Sequence, residues 1–333
     1  MRVFLLLTLF LSTLFGETTL KIATYNVENL FDLQRSGHEY KEFIPNTRSK
    51  WNLKNYRIKL KNISRVIKGI NADIIGLEEI ESLQALKDLR MQLKRDGIYY
   101  QYFKIANYKD TSVKVAILSK IPFVYTHEIA VQSSYRYRNI LEAKFRVKGE
   151  EFFLLVNHWK AKSGPESMRI VSAKKVMKRV EELGEKKNII LLGDFNSHYE
   201  ENILFKRKRK LNDTNGVTGI NHILGTLEHK ESASKVCVPY GEFYNLWYDT
   251  TEGKRYSYIF RGKKEAMDSI IVSPSLLNKN GMHYKLHSIE SYRPAYLFKG
   301  KNIYRWQMSR KPRVHKGKGY SDHLAVIAEF VVH

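Results

Sequence analysis

The chain has 333 residues, of which 43% are hydrophobic and 27% charged, with 19 glycines, 7 prolines and a single cysteine, Cys237. That composition excludes a disordered chain, and the lone cysteine excludes an intrachain disulfide framework, a Cys-rich zinc site and a CxxC redox pair. A formal charge of +23, from 57 Lys and Arg against 34 Asp and Glu, points to a polyanionic partner: nucleic acid, an anionic membrane surface or a phosphorylated substrate.

In chain order, residues 1–16 (MRVFLLLTLFLSTLFG) come first. A basic Arg2, an unbroken apolar run too short to span a bilayer comfortably, and a small Gly16 read as a secretory signal peptide. No cysteine follows that would carry a lipid, so export to the periplasm or beyond is expected, with the mature chain starting near Glu17. Residues 20–25 (LKIATY) alternate as a half-buried strand does, and so do residues 141–147. From Leu53, apolar residues recur at Tyr56, Leu60, Ile63, Ile67 and Ile70, the 3–4 spacing of an amphipathic helix. A second stripe of Ile170, Ala173, Val176, Met177 and Val180 predicts a helix over residues 167–183. Short apolar runs at residues 73–77, 113–118, 152–156, 188–192 and 270–272 predict strands buried on both faces. No later segment is apolar enough to cross a membrane, so no stable membrane insertion is expected after signal cleavage. No repeat or low-complexity linker marks a boundary, so residues 17–333 are expected to form one mixed α/β layered domain.

Polar residues stand where these strands end, the place where loops carry chemistry on a rigid scaffold. Asn26 ends the first strand in TYNVENLF, and Glu78 and Glu79 end the second in ADIIGLEEIE. Asn157 and His158 end FFLLVNHWKAK, and Asp194 and Asn196 end NIILLGDFNS. Asp268 opens AMDSIIVS, and Asp322 with His323 precedes the last strand in GYSDHLAVIAEF. Any one of them has a dull explanation as a turn cap. Together they offer hard oxygen donors for a magnesium-like ion and no thiolate cluster.

These motifs, in this order and over residues 20 to 330, resemble the endonuclease/exonuclease/phosphatase superfamily with its deoxyribonuclease I-like fold; LEE stands where the family has LQE. The resemblance implies a four-layer α/β/β/α sandwich, two mixed β-sheets face to face with helices outside. It places Glu79 and Asp322 at a metal, with Asn26 helping to hold that metal or the scissile phosphate; Mg2+ is expected, with Mn2+ or Ca2+ as alternatives. Asp194 would deprotonate the attacking water, and Asn196 would position that water or the phosphate. His158 and His323 would bind the oxyanion, one of them protonating the leaving oxygen, and Asp268 would orient His323. One departure stands out. Secreted deoxyribonuclease I pairs its first histidine with a Glu in the strand that reads TSVKVAIL in this chain, where there is no acidic residue.

Fold membership leaves the substrate open. Residues 291–321, a basic aromatic insertion, hold nine Lys and Arg and no Asp or Glu, interleaved with aromatic residues, a pattern that suits a nucleic-acid backbone with stacked bases. Arg293, Arg305, Arg310 and Arg313 are therefore expected to contact substrate, with Arg138 and Lys160 near the scissile phosphate; residues 206–210 (KRKRK) form a second basic run. The expectation is an exported monomeric DNA endonuclease, or a sugar-nonspecific one, that uses in-line water attack and leaves 5′-phosphates. A phosphatase or lipid phosphodiesterase on the same fold and an inactive nucleic-acid-binding protein remain the alternatives.

Overall fold

The computed structural model describes residues 16–205 and 209–333. Nearly all of the expected signal peptide, and the first three residues of the 206–210 basic run, lie outside the described residues. In chain order the first strands are β1 (Thr18–Leu30), β2 (Ile74–Ile80), β3 (Tyr102–Ile105), β4 (Lys114–Ser119), β5 (Phe123–Ile129), β6 (Ile140–Val147), β7 (Glu150–His158) and β8 (Asn188–Asp194). After them come β9 (Tyr244–Asn245), β10 (Tyr258–Phe260), β11 (Lys263–Glu265), β12 (Asp268–Val272), β13 (His283–Tyr284), β14 (Glu290–Ser291), β15 (Phe298–Lys299), β16 (Asn302–Ile303) and β17 (Val326–Val332). The long helices are α1 (Leu53–Ile70), α2 (Leu83–Arg95) and α3 (Glu166–Leu183).

One sheet runs β13-β17-β1-β2-β4-β3, with β14 also on β17; the other runs β5-β6-β7-β8-β12-β9. Both are mixed, because β1–β2 and β7–β8 are parallel while their other pairings are antiparallel. The apolar residues of strands central to both sheets meet in an inner core that includes Ile22, Ile74, Ile117, Leu154, Leu192 and Ile270. The sheets touch closely at Gly76, where a Cβ would lie 2.4 Å from a methyl of Leu192. Helices α1 and α2 cover the outer face of the first sheet through Ile63, Ile67, Leu86 and Leu89, and α3 covers the second through Val176 and Val180. The fold is therefore the four-layer sandwich that the motifs implied.

Local signals account for the helices. Asn52 caps α1 by accepting from the Asn55 amide at 3.1 Å, and Asn71 ends it in the left-handed region, φ 50°. Helix α2 was not anticipated, although Ala85, Leu86, Leu89 and Leu93 form a buried stripe behind the Ser82 cap. No helix among the described residues is long and apolar enough to cross a membrane.

Residues 291–321 differ from their expected form. Leu297, Ile303, Trp306 and Tyr320 are buried in the α1 side of the core, and Tyr292, Tyr296, Phe298 and Tyr304 pack against it. These aromatics fasten the segment to the domain and are not a row of open stacking faces. Gly319 is required there: a Cβ would sit 1.9 Å from the Arg305 carbonyl oxygen.

Candidate active site

Strand register sets the site. In the second sheet His158 and Asp268 are both direct partners of Asp194, so the ends of β7, β8 and β12 place these three side by side. In the first sheet Asn26 pairs with Glu78, and the register then slips on both strands. The slip carries unusual backbone: Glu28, Asn29 and Glu79 all have positive φ, at 54°, 61° and 66°. Such conformations cost energy in non-glycine residues and persist where the surroundings enforce them. One consequence is that two adjacent carboxylates part company. Glu78 is fully buried and accepts from Thr24 Oγ1 at 2.7 Å, whereas the Glu79 side chain keeps 20% of its surface.

The two sheets are joined polar group to polar group. Asn26 Nδ2 donates to Asp194 Oδ2 at 3.1 Å, while Asn26 Oδ1 accepts from the Glu28 amide at 3.0 Å. Placed so, Asn26 presents its N–H to the acidic cluster and its oxygen away from it. In that pose it holds the Asp194 carboxylate in position. His323 Nδ1 and Asp268 Oδ2 are 2.7 Å apart, leaving Nε2 at 4.0 Å from both Asp194 and Asp322. His158 Nε2 lies 3.6 Å from Asp194 and 3.9 Å from Glu79. Ser321 Oγ ties the SDH turn to β1 by donating to the Asn26 carbonyl at 2.6 Å. Asn196 takes φ 49°, gives its amide to Asp194 Oδ1 and donates Nδ2 to the Trp159 carbonyl, which also accepts from Arg138.

The two imidazoles are in opposite electrostatic settings. Burial works against a charged His323, but the charge and hydrogen bond of Asp268, with Asp194 and Asp322 behind, hold its pKa well above the ordinary value. Burial, then the charges of Arg138 and His323, push His158 well below it. Its Nδ1 is buried without a partner among the described residues, as expected from a TSVKVAIL strand that lacks a carboxylate. Lys114 of that strand instead donates to the Glu81 and Thr111 carbonyls. The setting of His323 thus favours the protonated imidazole and that of His158 the neutral one. Burial, and then Asp268, raise Asp194 to about 7, within the range suited to a base at neutral pH.

Asp194, Asp268 and His323 bring one donor atom each within 4.8 Å of one another, a set that could hold a metal ion. Glu79 and Asp322 add oxygen donors at its edge, and burial followed by the Asp322 charge raises the Glu79 pKa. Apart from the His323 nitrogen the donors are hard oxygens, which fits a divalent ion. A cavity of about 430 Å³ opens beside His323 and Asn196, walled by Tyr258, Phe260, Met267 and Lys162.

The remaining expected substrate contacts scatter. Arg138 stands at the site. Lys160 lies in the field of Arg138 and Arg136, which together with burial lowers its pKa. Arg305 is engaged by Glu28, whose other oxygen takes the Trp306 amide, and by Asp322 at 3.0 Å, so its guanidinium is already balanced. Arg313 pairs with Glu42, and Arg293 lies over the Tyr256 ring. Arg310 forms no ion pair among the described residues and faces a surface concavity. Glu28 was missed: it lies inside TYNVENLF, but only the bulge reveals that it is buried against Arg305.

The comparisons agree with this geometry. The model of the Endonuclease/Exonuclease/phosphatase family matches residues 21–331. None of the curated proteins matches the chain in sequence. Among solved structures, a humanized D. rerio TDP2 is 16% identical, with TM-score 0.57 over 94% of this chain and 98% of its own. D. rerio TDP2 complexed with a single-strand DNA product is 14% identical, with TM-score 0.57 over 94% and 99%. The mannosyl-6-phosphatase Bt3783 of Bacteroides thetaiotaomicron is 17% identical, with TM-score 0.56 over 93% and 99%. Matched from its first β-strand to its last, the chain belongs to the endonuclease/exonuclease/phosphatase family, whose members hydrolyse phosphoester bonds.

Proposed function

We propose that this chain is an exported, Mg2+-dependent phosphodiesterase that cleaves nucleic acid, DNA in particular, by in-line attack of water. The observation that carries the reading is the charged His323–Asp268 pair facing a base-competent Asp194 across a rim of oxygen donors. A chain of net charge +23 favours a polyanionic ester over a small neutral one. The D. rerio TDP2 complex, a likeness in fold alone, holds a single-strand DNA product.

In this mechanism Asp194 aligns the water and takes its proton, with Asn196 keeping that carboxylate oriented. Arg138 and His158 receive the phosphoryl oxygens. His323, held by Asp268, stabilises the oxyanion and protonates the leaving oxygen. Glu79 and Asp322, with the carboxylates beside them, would hold the divalent ion. When bound, that ion would neutralise charge on the phosphate. The test is nicking of plasmid DNA by the purified protein with Mg2+ and with EDTA. Cleavage with Mg2+ alone is expected; equal nicking in both, or in neither, removes the reading. A second reading, hydrolysis of a small sugar phosphate, draws on the likeness to Bt3783, and release of phosphate from mannose 6-phosphate with no action on DNA would establish it.

A further inference from the structure

Residues 307–318 fold back as an irregular hairpin that is pinned from below. The Gln307 amide donates to the Lys318 carbonyl at 2.8 Å, and the Lys316 amide to the Gln307 carbonyl at 3.0 Å. His315 is buried: its Nδ1 accepts from Trp306 Nε1, its Nε2 reaches the Glu42 carbonyl, and its amide donates to the Ser49 carbonyl. Gly317, at φ 61°, lets the hairpin close on α1, since a Cβ there would lie 2.7 Å from Asn55 Oδ1. These contacts fasten the hairpin to the domain.

Two concavities open on that surface and share a wall. One, of about 530 Å³, runs from Arg305, which touches Asp322 of the active site, past Trp306 to Arg310 and Lys316. The next, of about 640 Å³, lies between the hairpin and the start of α1 and carries Lys50, Lys54, Lys316 and Lys318 on its rim. Gln307, Ser309 and Lys316 line both, so the two adjoin as a trough stepped by the wall they share, its near end at Arg305 beside the active site. Among the described residues no acidic side chain lines either one. Among them, too, Lys50, Lys54, Arg310, Lys316 and Lys318 form no ion pair. By contrast, Arg305 is balanced by Glu28 and Asp322. Unpaired cations spaced along two adjoining hollows match a flexible polyanion whose charges repeat along its length.

We propose that this trough is a binding track for the phosphate backbone of a nucleic-acid strand that extends from the scissile bond, recognised by charge and not by base stacking. It deepens the nuclease reading and rests on it. The track makes the enzyme prefer long strands, because phosphates several residues from the cut release counterions on binding. The track residues touch no reacting atom, so they leave the chemistry of short substrates alone.

The test compares wild type with a Lys50→Gln/Lys54→Gln/Lys316→Gln/Lys318→Gln variant of the full chain. Equilibrium binding of a single-stranded 30-mer in EDTA, titrated with NaCl, reads the track without turnover. The wild-type slope of log affinity against log salt should fall by about 3 in the variant, at roughly 0.7 for each phosphate that is no longer neutralised. KM for the 30-mer should rise at least about tenfold at moderate salt, while hydrolysis of bis-p-nitrophenyl phosphate stays unchanged. The pairs Lys50/Lys54 and Lys316/Lys318, replaced separately, should each remove part of the slope, which keeps the question answerable if the fourfold variant folds poorly. An unchanged salt slope overturns the track even if the wild type cuts DNA. Loss of binding to anionic vesicles with DNA binding intact overturns it too, in favour of a membrane surface. Wild-type failure to cut any polynucleotide sinks the nuclease reading instead, and the EDTA binding experiment still decides the track.

Discussion

The two sheets bring different chemistry to the seam between them. The first contributes Asn26, Glu79 and the Asp322 turn, oxygen and amide groups on backbone that slips register and takes positive φ. The second contributes His158, Asp194 and Asp268 from three strand ends in regular register. Regular pairing serves groups that pass protons, whose relative positions are set by neighbouring strands at fixed spacing. The irregular half turns adjacent side chains in different directions, separating Glu79 from the buried Glu78. His323 is the exception that joins the halves: it comes from the first sheet's last turn and takes its partner, Asp268, from the second.

The harshest way to break the regular half is to remove its proton-handling groups. Asp194→Ala and His323→Ala should each lower kcat by about 10²–10⁴-fold on plasmid DNA, with the circular dichroism spectrum retained. A fully active Asp194→Ala would show that the base lies elsewhere. Breaking the irregular half should look different. Glu79→Gln should raise the Mg2+ concentration needed for half-maximal nicking, and isothermal titration should show weaker Mg2+ binding, while EDTA silences both proteins alike. If Glu79→Gln left Mg2+ binding untouched, the cation would sit among Asp194, Asp268 and His323 alone.

A third imidazole sharpens the contrast through stability. His198, four residues beyond Asp194, is buried, accepts the Glu200 amide on Nδ1, and is depressed by burial to about 4 from its usual 6.5. The folded state therefore binds fewer protons than the unfolded one between those two values. Its contribution is complete above pH 6.5 and is lost as pH falls toward 4, up to about 3 kcal/mol. Asp194, raised to about 7, acts in the opposite direction over the same interval, so the readout is a difference: from pH 7.5 to 4.5 wild type should lose more urea stability, or gain less, than His198→Asn. Equal pH dependence in both would mean that His198 is already hydrated in the folded protein.

Much of this was legible in the sequence because its signals are local. The stripe from Tyr56 to Ile70 is buried as α1, and the apolar runs ending in His158 and Asp194 are strands whose last residues meet Asn26 at one rim, although β1 runs on past Asn26 to Leu30 instead of ending there. The four layers came from the ordered motifs, since alternation alone gives strands without their pairing. What was illegible depends on distant neighbours. Arg305 looks free in a run without acids, but Glu28, 277 residues away in the chain, accepts from it. Trp306 and Tyr320 read as stacking faces until α1 is seen to need them as core. A charge count sees the excess of cations but not which of them are already paired.

The finest division between the halves is the one inside the Glu78–Glu79 pair. Burial, followed by the charge of Asp268, holds the Glu78 pKa well above the ordinary range, which favours the neutral carboxyl in the folded protein. One oxygen accepts from Thr24; the other is buried with no partner among the described residues, as is one oxygen of Asp268. A neutral carboxylic acid and a glutamine amide have nearly the same shape, and each offers one acceptor and a donor. The family pattern has glutamine at this position. Glu78→Gln should therefore keep kcat/KM within about tenfold of wild type, about 1.4 kcal/mol, and leave the Mg2+ requirement in place. A loss as deep as that of Glu79→Gln would mean that Glu78 works as a charged group. The slipped register would then be holding two functional carboxylates instead of sorting one from the other.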